Sequence, residues 1–249
     1  MKMLEGDAIL LAGATGRVGA TTIRTLLESG ACVVVVSRKL ESARNAIEQQ
    51  TDGSSRDRVH PFEADLLRFE DGEAASAETV RRYGRIDAAI SLAGGGSPFV
   101  PVAESTPDDL EVSVRNNLAV AYNVIVPALR TMLKQERRPG TRSRGRLVAV
   151  TAGSSLDPQP RFGVMGMGKA GVNTLMLAIA RENKAQGIVA NAVVLGGVAT
   201  EAARDYYSDE DFAAASTPQE VADILAFHAS DASSGVNGSL IHLNAREVD

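Results

Sequence analysis

The sequence contains few cysteines, histidines and aromatic residues. Its single cysteine, Cys32, cannot form an internal disulfide, and this favours a reducing compartment. The three histidines and the cysteine lack metal-ligand spacing, so we assign no metal site. We find no apolar stretch of the roughly 18 residues that a membrane-spanning helix needs. These absences predict a cytoplasmic protein without a metal or a membrane partner.

The charge balance is mildly acidic, with 31 acidic and 26 basic residues and a formal net charge of −5. Such a surface does not favour the phosphate backbone of DNA or RNA. Hydrophobic residues make up 44 % of the chain and charged residues 23 %, an ordinary balance for a soluble globular protein. The composition therefore argues against both a disordered chain and a nucleic-acid partner.

Short apolar runs alternate with longer stretches of helical periodicity. The predicted strands are Ala8–Leu11, Cys32–Val36, Val59–Phe62, Ala88–Leu92, Arg146–Thr151, Val189–Leu195 and Leu240–Leu243. The predicted helices are Val18–Ser29, Leu40–Gln50, Glu70–Tyr83, Pro107–Arg137, Phe162–Gln186 and Pro218–His228. The strands are apolar nearly throughout, which is typical of a parallel sheet covered on both faces. The alternation predicts an α/β fold with a Rossmann-type doubly wound parallel sheet of about seven strands flanked by helices.

We expect one nucleotide-binding domain over residues 1–249, because the alternation continues past each polar loop. One such loop, residues 137–146, carries five arginines. It is either an anion-binding patch or a solvated connection after a long helix, and we favour the connection. Cys32 opens an apolar run, so we expect its thiol to be buried in the core.

A glycine-rich loop joins the first predicted strand to the first helix. Glycine allows a tight turn there and lets backbone N–H groups approach a pyrophosphate, while the helix N-terminus favours negative charge. A plain strand–helix turn is the alternative, but the position after the first strand favours a dinucleotide site. The candidate binding residues are Gly13, Thr15, Gly16, Arg17, Val18 and Gly19.

The end of the second strand indicates which dinucleotide binds. An NAD site usually offers a carboxylate to the ribose 2′-hydroxyl at this point, whereas the strand here ends in Ser37, Arg38 and Lys39. A guanidinium suits a 2′-phosphate, and Arg17 could add a second cation. We predict NADP(H) in preference to NAD(H); in the alternative, Arg38 and Lys39 are ordinary surface charges.

With these motifs the sequence resembles the short-chain dehydrogenase/reductase family over nearly the whole chain. Ala64-Asp65-Leu66 resembles the segment whose acid contacts the adenine, and Ser91-Leu92-Ala93-Gly94 stands where the family usually has Asn-Asn-Ala-Gly. Residues 196–200 resemble the segment that touches the nicotinamide end. The resemblance implies further cofactor-binding residues, namely Asp65, Leu66, Ala93, Gly94, Lys169, Gly197, Val198 and Thr200. It also implies a small-molecule substrate, a homodimer or homotetramer, and a substrate lid near residues 197–217.

The catalytic residues are where the sequence departs from this family. The family uses a tyrosine as general acid or base, a lysine four residues later, and a serine near the end of the fifth strand. Lys169 is in place and implies a ribose contact, and Asn117 matches the asparagine that holds a water. Met165 stands four residues before Lys169, and Ala152 thirteen before Met165. A thioether and a methyl group cannot exchange the reacting proton.

Other hydroxyl groups near the expected pocket are alternatives to the missing tyrosine. They are Thr151, Ser154 and Ser155 beside Ala152, and Tyr206 and Tyr207 in the lid segment. For the two tyrosines we favour a packing role. We expect the substrate pocket to be lined by residues 97–100, residues 154–157 and the lid.

Three functions are compatible with this pattern. The first is an NADP(H)-dependent oxidoreductase with an altered proton path, acting on a small carbonyl, imine or enone substrate, because the cofactor itself carries the hydride chemistry. The second is a dehydratase, isomerase or cyclase that uses the pocket without net hydride transfer. The third is a catalytically inactive cofactor-binding protein or partner subunit. We favour the first.

Overall fold

The computed structural model describes residues 2–51, 53, 55–201, 204 and 208–243. The strands are β1 Ala8–Ala12, β2 Cys32–Ser37, β3 Val59–Glu63, β4 Ala88–Ser91, β5 Gly145–Ala152, β6 Ile188–Leu195 and β7 Leu240–Leu243. The helices are α1 Arg17–Glu28, α2 Leu40–Glu48, α3 Phe69–Tyr83, α4 Pro107–Ser113, α5 Val120–Lys134, α6 Gly163–Glu182, α7 Asp209–Ala214 and α8 Pro218–Ala229. The strands form one parallel sheet in the order β3-β2-β1-β4-β5-β6-β7. The predicted α/β fold with a doubly wound parallel sheet is confirmed.

Helices cover both faces of the sheet, and each face has its own apolar core. On one face, Ile23 and Leu26 of α1 and Val221 and Leu225 of α8 belong to one buried cluster. On the other face, α3, α5 and α6 enclose a second cluster. The central strands are buried on both sides, as expected from their continuous apolar runs.

The strand order places a crevice beside β1. This strand pairs with β2 on one side and with β4 on the other. Strands β2 and β3 are therefore added on one side of β1, and strands β4 to β7 on the other. Ligands of doubly wound sheets bind at such a point, beyond the carboxyl ends of the strands. The loop at residues 13–16 after β1 and the loop at residues 92–101 after β4 meet at this edge.

The predicted helix Pro107–Arg137 is divided into three parts. Between α4 and α5, Val114–Ala119 adopt π-helical geometry, which hydrophobic periodicity does not mark. Helix α5 ends at Lys134, where the side chain of Gln135 turns to the backbone of Ile86. It accepts a hydrogen bond from the Ile86 N–H at 3.1 Å and donates one to the Ile86 carbonyl at 2.6 Å.

Helix α7 lies within the segment near residues 197–217 and was not predicted. The Ser208 hydroxyl caps it by accepting a hydrogen bond from the Asp211 N–H at 3.0 Å. A helix of six residues is too short to be recognised by periodicity. Tyr206 and Tyr207 lie outside the described residues, and a lid function for the segment stays a prediction.

Helix α6 is long and apolar enough, by length and composition, to cross a membrane. The sequence was expected to contain no apolar stretch of this length. The difference arises because an 18-residue window judged by its mean hydropathy tolerates isolated charges such as Lys169. Half of the apolar window is buried inside the protein, where Val172 and Met176 join the core. Core helices of soluble proteins share these properties, so α6 is a weak indication of a membrane partner.

The arginine-rich loop at residues 137–146 differs from both interpretations of it. Arg138 donates to Asp7 at 2.8 Å and to Asp87 at 3.2 Å. Arg146, only 2 % exposed, donates to Asp7 at 2.8 Å and lies 3.6 Å from Asp231. With Arg85 beside Asp87 and Arg142 beside Asp231, the loop carries part of a partly buried ionic cluster of four arginines and three aspartates. It is therefore neither a free anion site nor a fully solvated connection.

Cys32, expected in the core, is only half-buried at the start of β2. The four valines that follow it are buried. Partial burial of the thiol raises its pKa, and this disfavours the reactive thiolate.

Replacing Arg146 by methionine tests the energetic weight of the ionic cluster. The change leaves Asp7 buried without one of its cations, so we expect the free energy of unfolding to fall by about 3 kcal/mol. Urea denaturation at neutral pH measures this value. The matched control is Arg56→Met, which removes an exposed ion pair with Glu48 and should change stability by less than about 1 kcal/mol. Equal effects of the two changes would contradict the prediction.

Candidate functional site

A large cleft of about 1030 Å³ opens at the crevice beside β1. It gathers residues from the loops after β1, β2, β3 and β4. The predicted site residues that line it are Gly13, Thr15, Gly16, Arg17, Val18, Gly19, Ser37, Arg38, Lys39, Asp65, Leu66, Ala93, Gly94 and Thr200. Gly197 and Val198 were predicted with them but do not line this cleft.

The cleft also contains residues that sequence reasoning missed. They are Val36, Ser42, Ala64, Leu67, Leu92, Gly95, Gly96, Asn116 and Val120. Most of them are neighbours of predicted residues and line the wall without a recognisable motif. The run Gly94-Gly95-Gly96 is a sequence signal that could have identified this wall, because consecutive glycines suit backbone with positive φ. In the structure all three glycines have positive φ, at 150°, 129° and 67°.

The glycine loop after β1 brings two stretches of backbone close together. A Cβ atom on Gly13, which has φ +84°, would stand 2.5 Å from the Ala93 nitrogen. A Cβ atom on Gly19 would collide with the carbonyl oxygen of Gly13. Helix α1 then begins at Arg17 without a side-chain cap and without an acidic residue in its first turn. Such a helix end presents backbone N–H groups and a positive dipole to an anion, which fits a pyrophosphate.

The end of β2 carries two cations at the rim of the cleft. Arg38 and Lys39 are exposed, and neither makes an ion pair within the part of the chain that the structure describes. The neighbouring carboxylate of Glu63 accepts a hydrogen bond from the Leu40 N–H at 2.8 Å and so serves the start of α2. This end of the cleft is therefore positively charged and suited to a phosphate group.

Arg17 is not a free cation in this arrangement. Its guanidinium forms an ion pair with Glu201, just beyond Thr200. Both side chains are largely exposed, so the pair contributes little to stability. It does connect the first turn of α1 to the segment after β6, across the opening of the cleft. The expected second cation for a 2′-phosphate thus already has a partner.

Lys169 of α6 is buried behind the floor of the cleft. Its ammonium group donates to the Val150 carbonyl at 3.3 Å. Burial lowers the pKa of Lys169 to about 8. A Cβ atom on Gly94 would stand 2.8 Å from Lys169 Nζ and 3.0 Å from Asn117 Oδ1. The two predicted catalytic residues therefore meet at the same glycine of the cleft wall.

Asn117 lies in the π-helical segment and is 1 % exposed. Its amide nitrogen donates to Ser97 Oγ at 2.9 Å and to the Ser113 carbonyl at 3.0 Å. Its amide oxygen accepts from the Gly95 N–H at 3.1 Å. Two of these bonds, to Gly95 and Ser97, hold the loop after β4, and the third holds the end of α4. Asn117 thus fixes the wall of the cleft, and Ser97 takes part in this support instead of lining the expected pocket.

A second cavity of about 450 Å³ lies beyond the ends of β5 and β6. It is lined by Ala152, Gly153, Ser154, Leu156, Asp157, Gln159, Phe162, Met165, Gly196 and His242. Ala152 and Met165 thus share one cavity, as the spacing of the motif predicts. Residues 97–100, which were expected to line this pocket, do not line it. Sequence reasoning also missed His242, although a histidine within an otherwise apolar strand could have drawn attention to it.

The hydroxyls near Ala152 have different surroundings. Ser155 Oγ donates to the Ala152 carbonyl at 2.6 Å and accepts from Asn173 Nδ2 at 2.8 Å. The hydroxyls of Thr151 and Ser154 are buried and have no hydrogen-bond partner among the described residues. Only Ser154 lines the second cavity. It is therefore the hydroxyl best placed to bind a polar atom of a ligand there.

Across the described ranges, no group of three or more histidine, cysteine, aspartate or glutamate side chains is arranged to hold a metal ion.

Comparison with known proteins gives a consistent set of similarities. Residues 7–211 match the short chain dehydrogenase family. The short chain dehydrogenase/reductase astE of Aspergillus oryzae is 26 % identical, covering 97 % of this chain and 95 % of astE. A short chain dehydrogenase structure from Mycobacterium smegmatis is 25 % identical with a TM-score of 0.82, covering 100 % and 95 % of the two chains.

One further solved structure is similar in fold. It is a short chain oxidoreductase from Pseudomonas aeruginosa PAO1 containing an atypical catalytic center. The TM-score is 0.83 at 20 % identity, and the match covers 98 % of this chain and 99 % of that one. At this identity the likeness shows the shared fold alone.

Replacing Lys169 by methionine tests the burial of its ammonium group. The folded pKa of about 8 lies below the ordinary value of 10.5, so between these pH values the unfolded chain binds the proton more tightly and wild-type stability rises with pH. Below pH 8 Lys169 is charged in the folded protein, and the full free-energy cost of burying this charge is present. At pH 7 we expect Lys169→Met to raise the free energy of unfolding by about 2 kcal/mol.

Urea denaturation as a function of pH measures this difference, which should shrink as the pH rises through the window. The matched control is Lys184→Met, since Lys184 is exposed just after α6. A less stable Lys169→Met variant at pH 7 would contradict the account of this residue.

Proposed function

Because the chain belongs to the short-chain dehydrogenase family, we propose that it is an NADP(H)-dependent oxidoreductase with a non-standard active site. The family consists of oxidoreductases that use a nicotinamide cofactor and act on small molecules. The observation that carries the proposal is the contrast between two neighbouring spaces. The cleft keeps the glycine loop and the cations after β2, with Lys169 buried behind Gly94 of its wall, while Ala152 and Met165 line the second cavity.

The preference for NADP(H) is supported by the charges at the end of β2. A 2′-phosphate needs a cation that is not already neutralised, and Arg38 and Lys39 satisfy this condition within the described residues. Arg17 is engaged with Glu201, so we assign discrimination to Arg38 and Lys39. A carboxylate for the 2′-hydroxyl of NAD(H) does not follow β2.

Each part of the site has a task when the cofactor is bound, and the cofactor supplies the hydride chemistry. The loop of Gly13 and the first turn of α1 hold the pyrophosphate, because only small residues leave room for it there. Lys169 binds the nicotinamide ribose with an ammonium group whose one hydrogen-bond partner among the described residues is the Val150 carbonyl. Ser154 offers its unpartnered hydroxyl to the substrate oxygen.

The missing tyrosine restricts the substrates. Loss of the tyrosine slows proton transfer to the substrate oxygen by up to roughly 10²- to 10⁴-fold, to the extent that no other side chain supplies the proton. Activated acceptors such as imines, enones and activated carbonyl compounds depend least on that proton. We therefore propose an activated carbonyl, imine or enone of small size, in keeping with a cavity of about 450 Å³.

Several further properties follow from the family alone. We propose one nucleotide-binding domain over residues 1–249 with a lid near residues 197–217. We also propose a homodimer or homotetramer, since members of the family are commonly oligomeric. The cytoplasmic location stays a prediction.

Reversal of the charge at Arg38 tests the cofactor preference. Arg38→Glu removes a charge-assisted hydrogen bond and adds repulsion, so the Kd of NADPH should rise roughly 10- to 100-fold. The Kd of NADH should stay within about twofold. Fluorescence titration measures both values. Arg44→Glu on the exposed face of α2 is the charge-matched control and should change neither value; equal weakening of NADPH and NADH by Arg38→Glu would contradict the preference.

A turnover screen tests the reaction itself. Wild type and Met165→Tyr/Ala152→Ser are incubated with NADPH and a panel of ethyl pyruvate, acetophenone, cyclohexenone and pyrroline. We expect wild type to reduce an activated member slowly. The double variant should gain reduction of the plain ketone acetophenone by a factor on the order of 10² or more, because it restores the proton donor.

Two other outcomes would select the competing functions. Binding of NADPH by wild type without consumption against the whole panel would indicate a cofactor-binding protein. Conversion of a panel compound without any change in NADPH absorbance would indicate a non-redox enzyme.

A further inference from the structure

We propose that His242 donates the proton that completes reduction of the substrate in the cavity lined by Ala152 and Met165. The proposal rests on the proposed oxidoreductase function and names a donor on β7, far from the tyrosine position on α6. It assigns to this strand a catalytic role that the motif of the family does not contain.

Few side chains of the cavity lined by Ala152 and Met165 can exchange a proton. Among the described residues that line it, only Asp157 and His242 have titratable side chains. An ionised carboxylate only accepts hydrogen bonds at neutral pH, whereas an imidazole exchanges protons in that range. His242 is therefore the better donor of the two.

The pairing register of β5, β6 and β7 fixes the face of the sheet from which His242 projects. Thr151 of β5 pairs with Val194 of β6, and Val194 pairs with His242 of β7. Side chains at paired positions of parallel strands point to the same face, and two strand spacings amount to about 10 Å. His242 thus projects from the same face of the sheet as Thr151, whereas Ala152, the next residue of β5, projects from the opposite face. The two side chains reach one space only in the cavity beyond the ends of β5 and β6, which both of them line.

Exposure to solvent distinguishes the imidazole of His242 from those of His60 and His228. His242 is exposed, and no hydrogen bond or ion pair joins it to another part of the chain that the structure describes. The other two histidines differ. His60 lies 3.1 Å from Glu78, and His228 is buried with its Nδ1 unpartnered and a pKa that burial lowers. His242 can therefore regain a proton from solvent after each turnover.

The step balances with groups already named. The substrate carbonyl carbon receives a hydride, and the electrons of the carbonyl π bond move to the oxygen. A proton from the imidazolium of His242, directly or through one water, completes the hydroxyl group. The neutral imidazole then takes a proton from bulk water. The net reaction converts a carbonyl compound, NADPH and a proton into an alcohol and NADP⁺.

Substitution of His242 tests this role with the panel compound that wild type reduces fastest. His242→Gln should lower kcat roughly 10²-fold or more, while the Kd of NADPH stays the same. His242→Ala should be rescued by added imidazole. The controls are His60→Gln and Asp157→Asn: the first should leave kcat unchanged, and the second should lower it less than His242→Gln does.

A double-mutant cycle separates a proton donor from a merely structural residue. In Met165→Tyr/Ala152→Ser, the restored tyrosine supplies the proton, so adding His242→Gln should have little effect. An equal loss in both backgrounds, or full activity of His242→Gln in wild type, would overturn the role of His242 and leave the oxidoreductase function standing. Failure of wild type to consume NADPH with any panel compound would overturn the proposed function itself, and the role of His242 with it.

A binding measurement gives a readout that does not depend on turnover. The chain contains only three histidines, so their imidazole NMR signals can be assigned with single variants. Adding ethyl pyruvate to the complex with NADP⁺ should shift the His242 signal and leave the His60 and His228 signals in place. A shift at His60 or His228 without one at His242 would place the probe elsewhere and contradict the proposal.

Discussion

The buried ammonium group of Lys169 is the constraint around which the site is arranged. Burial lowers its pKa to about 8, which means that the fold holds a cation where water cannot solvate it. One protein carbonyl, that of Val150, accepts a hydrogen bond from it. Gly94 lies so close to the ammonium group that a Cβ atom at this position would stand 2.8 Å from Lys169 Nζ. A larger residue would therefore not fit here. The π-helical turn at Asn117 supports this wall, and such turns are frequent at functional sites.

The cleft and the second cavity carry different chemical information. The cleft combines an uncapped helix start, close glycine contacts and free cations, all of which suit a phosphorylated ligand. The second cavity has a methyl group and a thioether where the family places its serine and tyrosine. Its polar side chains are those of Ser154, Asp157, Gln159 and His242. Hydride transfer depends mainly on orientation, so a site of this kind can keep its reaction and obtain the proton from a different side chain.

Local patterns in the sequence predicted most of the fold and the cleft. The glycine loop was recognisable because its three glycines act within one turn, and the strands because their apolar runs are continuous. Contacts between distant segments could not be predicted in this way. Arg17 meets Glu201 across 184 positions, and Arg138 meets Asp7 across 131. His242 enters the cavity only because β7 pairs with β6, which no local pattern specifies.

A crystal structure of the complex with NADP⁺ tests the central claim most directly, namely that the cleft positions the nicotinamide beside a site without a tyrosine. The account predicts the 2′-phosphate on Arg38, a ribose hydroxyl within hydrogen-bond distance of Lys169 Nζ, and the nicotinamide facing the cavity lined by Ala152 and Met165. A nicotinamide excluded from that cavity by the side chain of Met165, with Lys169 still bonded only to Val150, would contradict it.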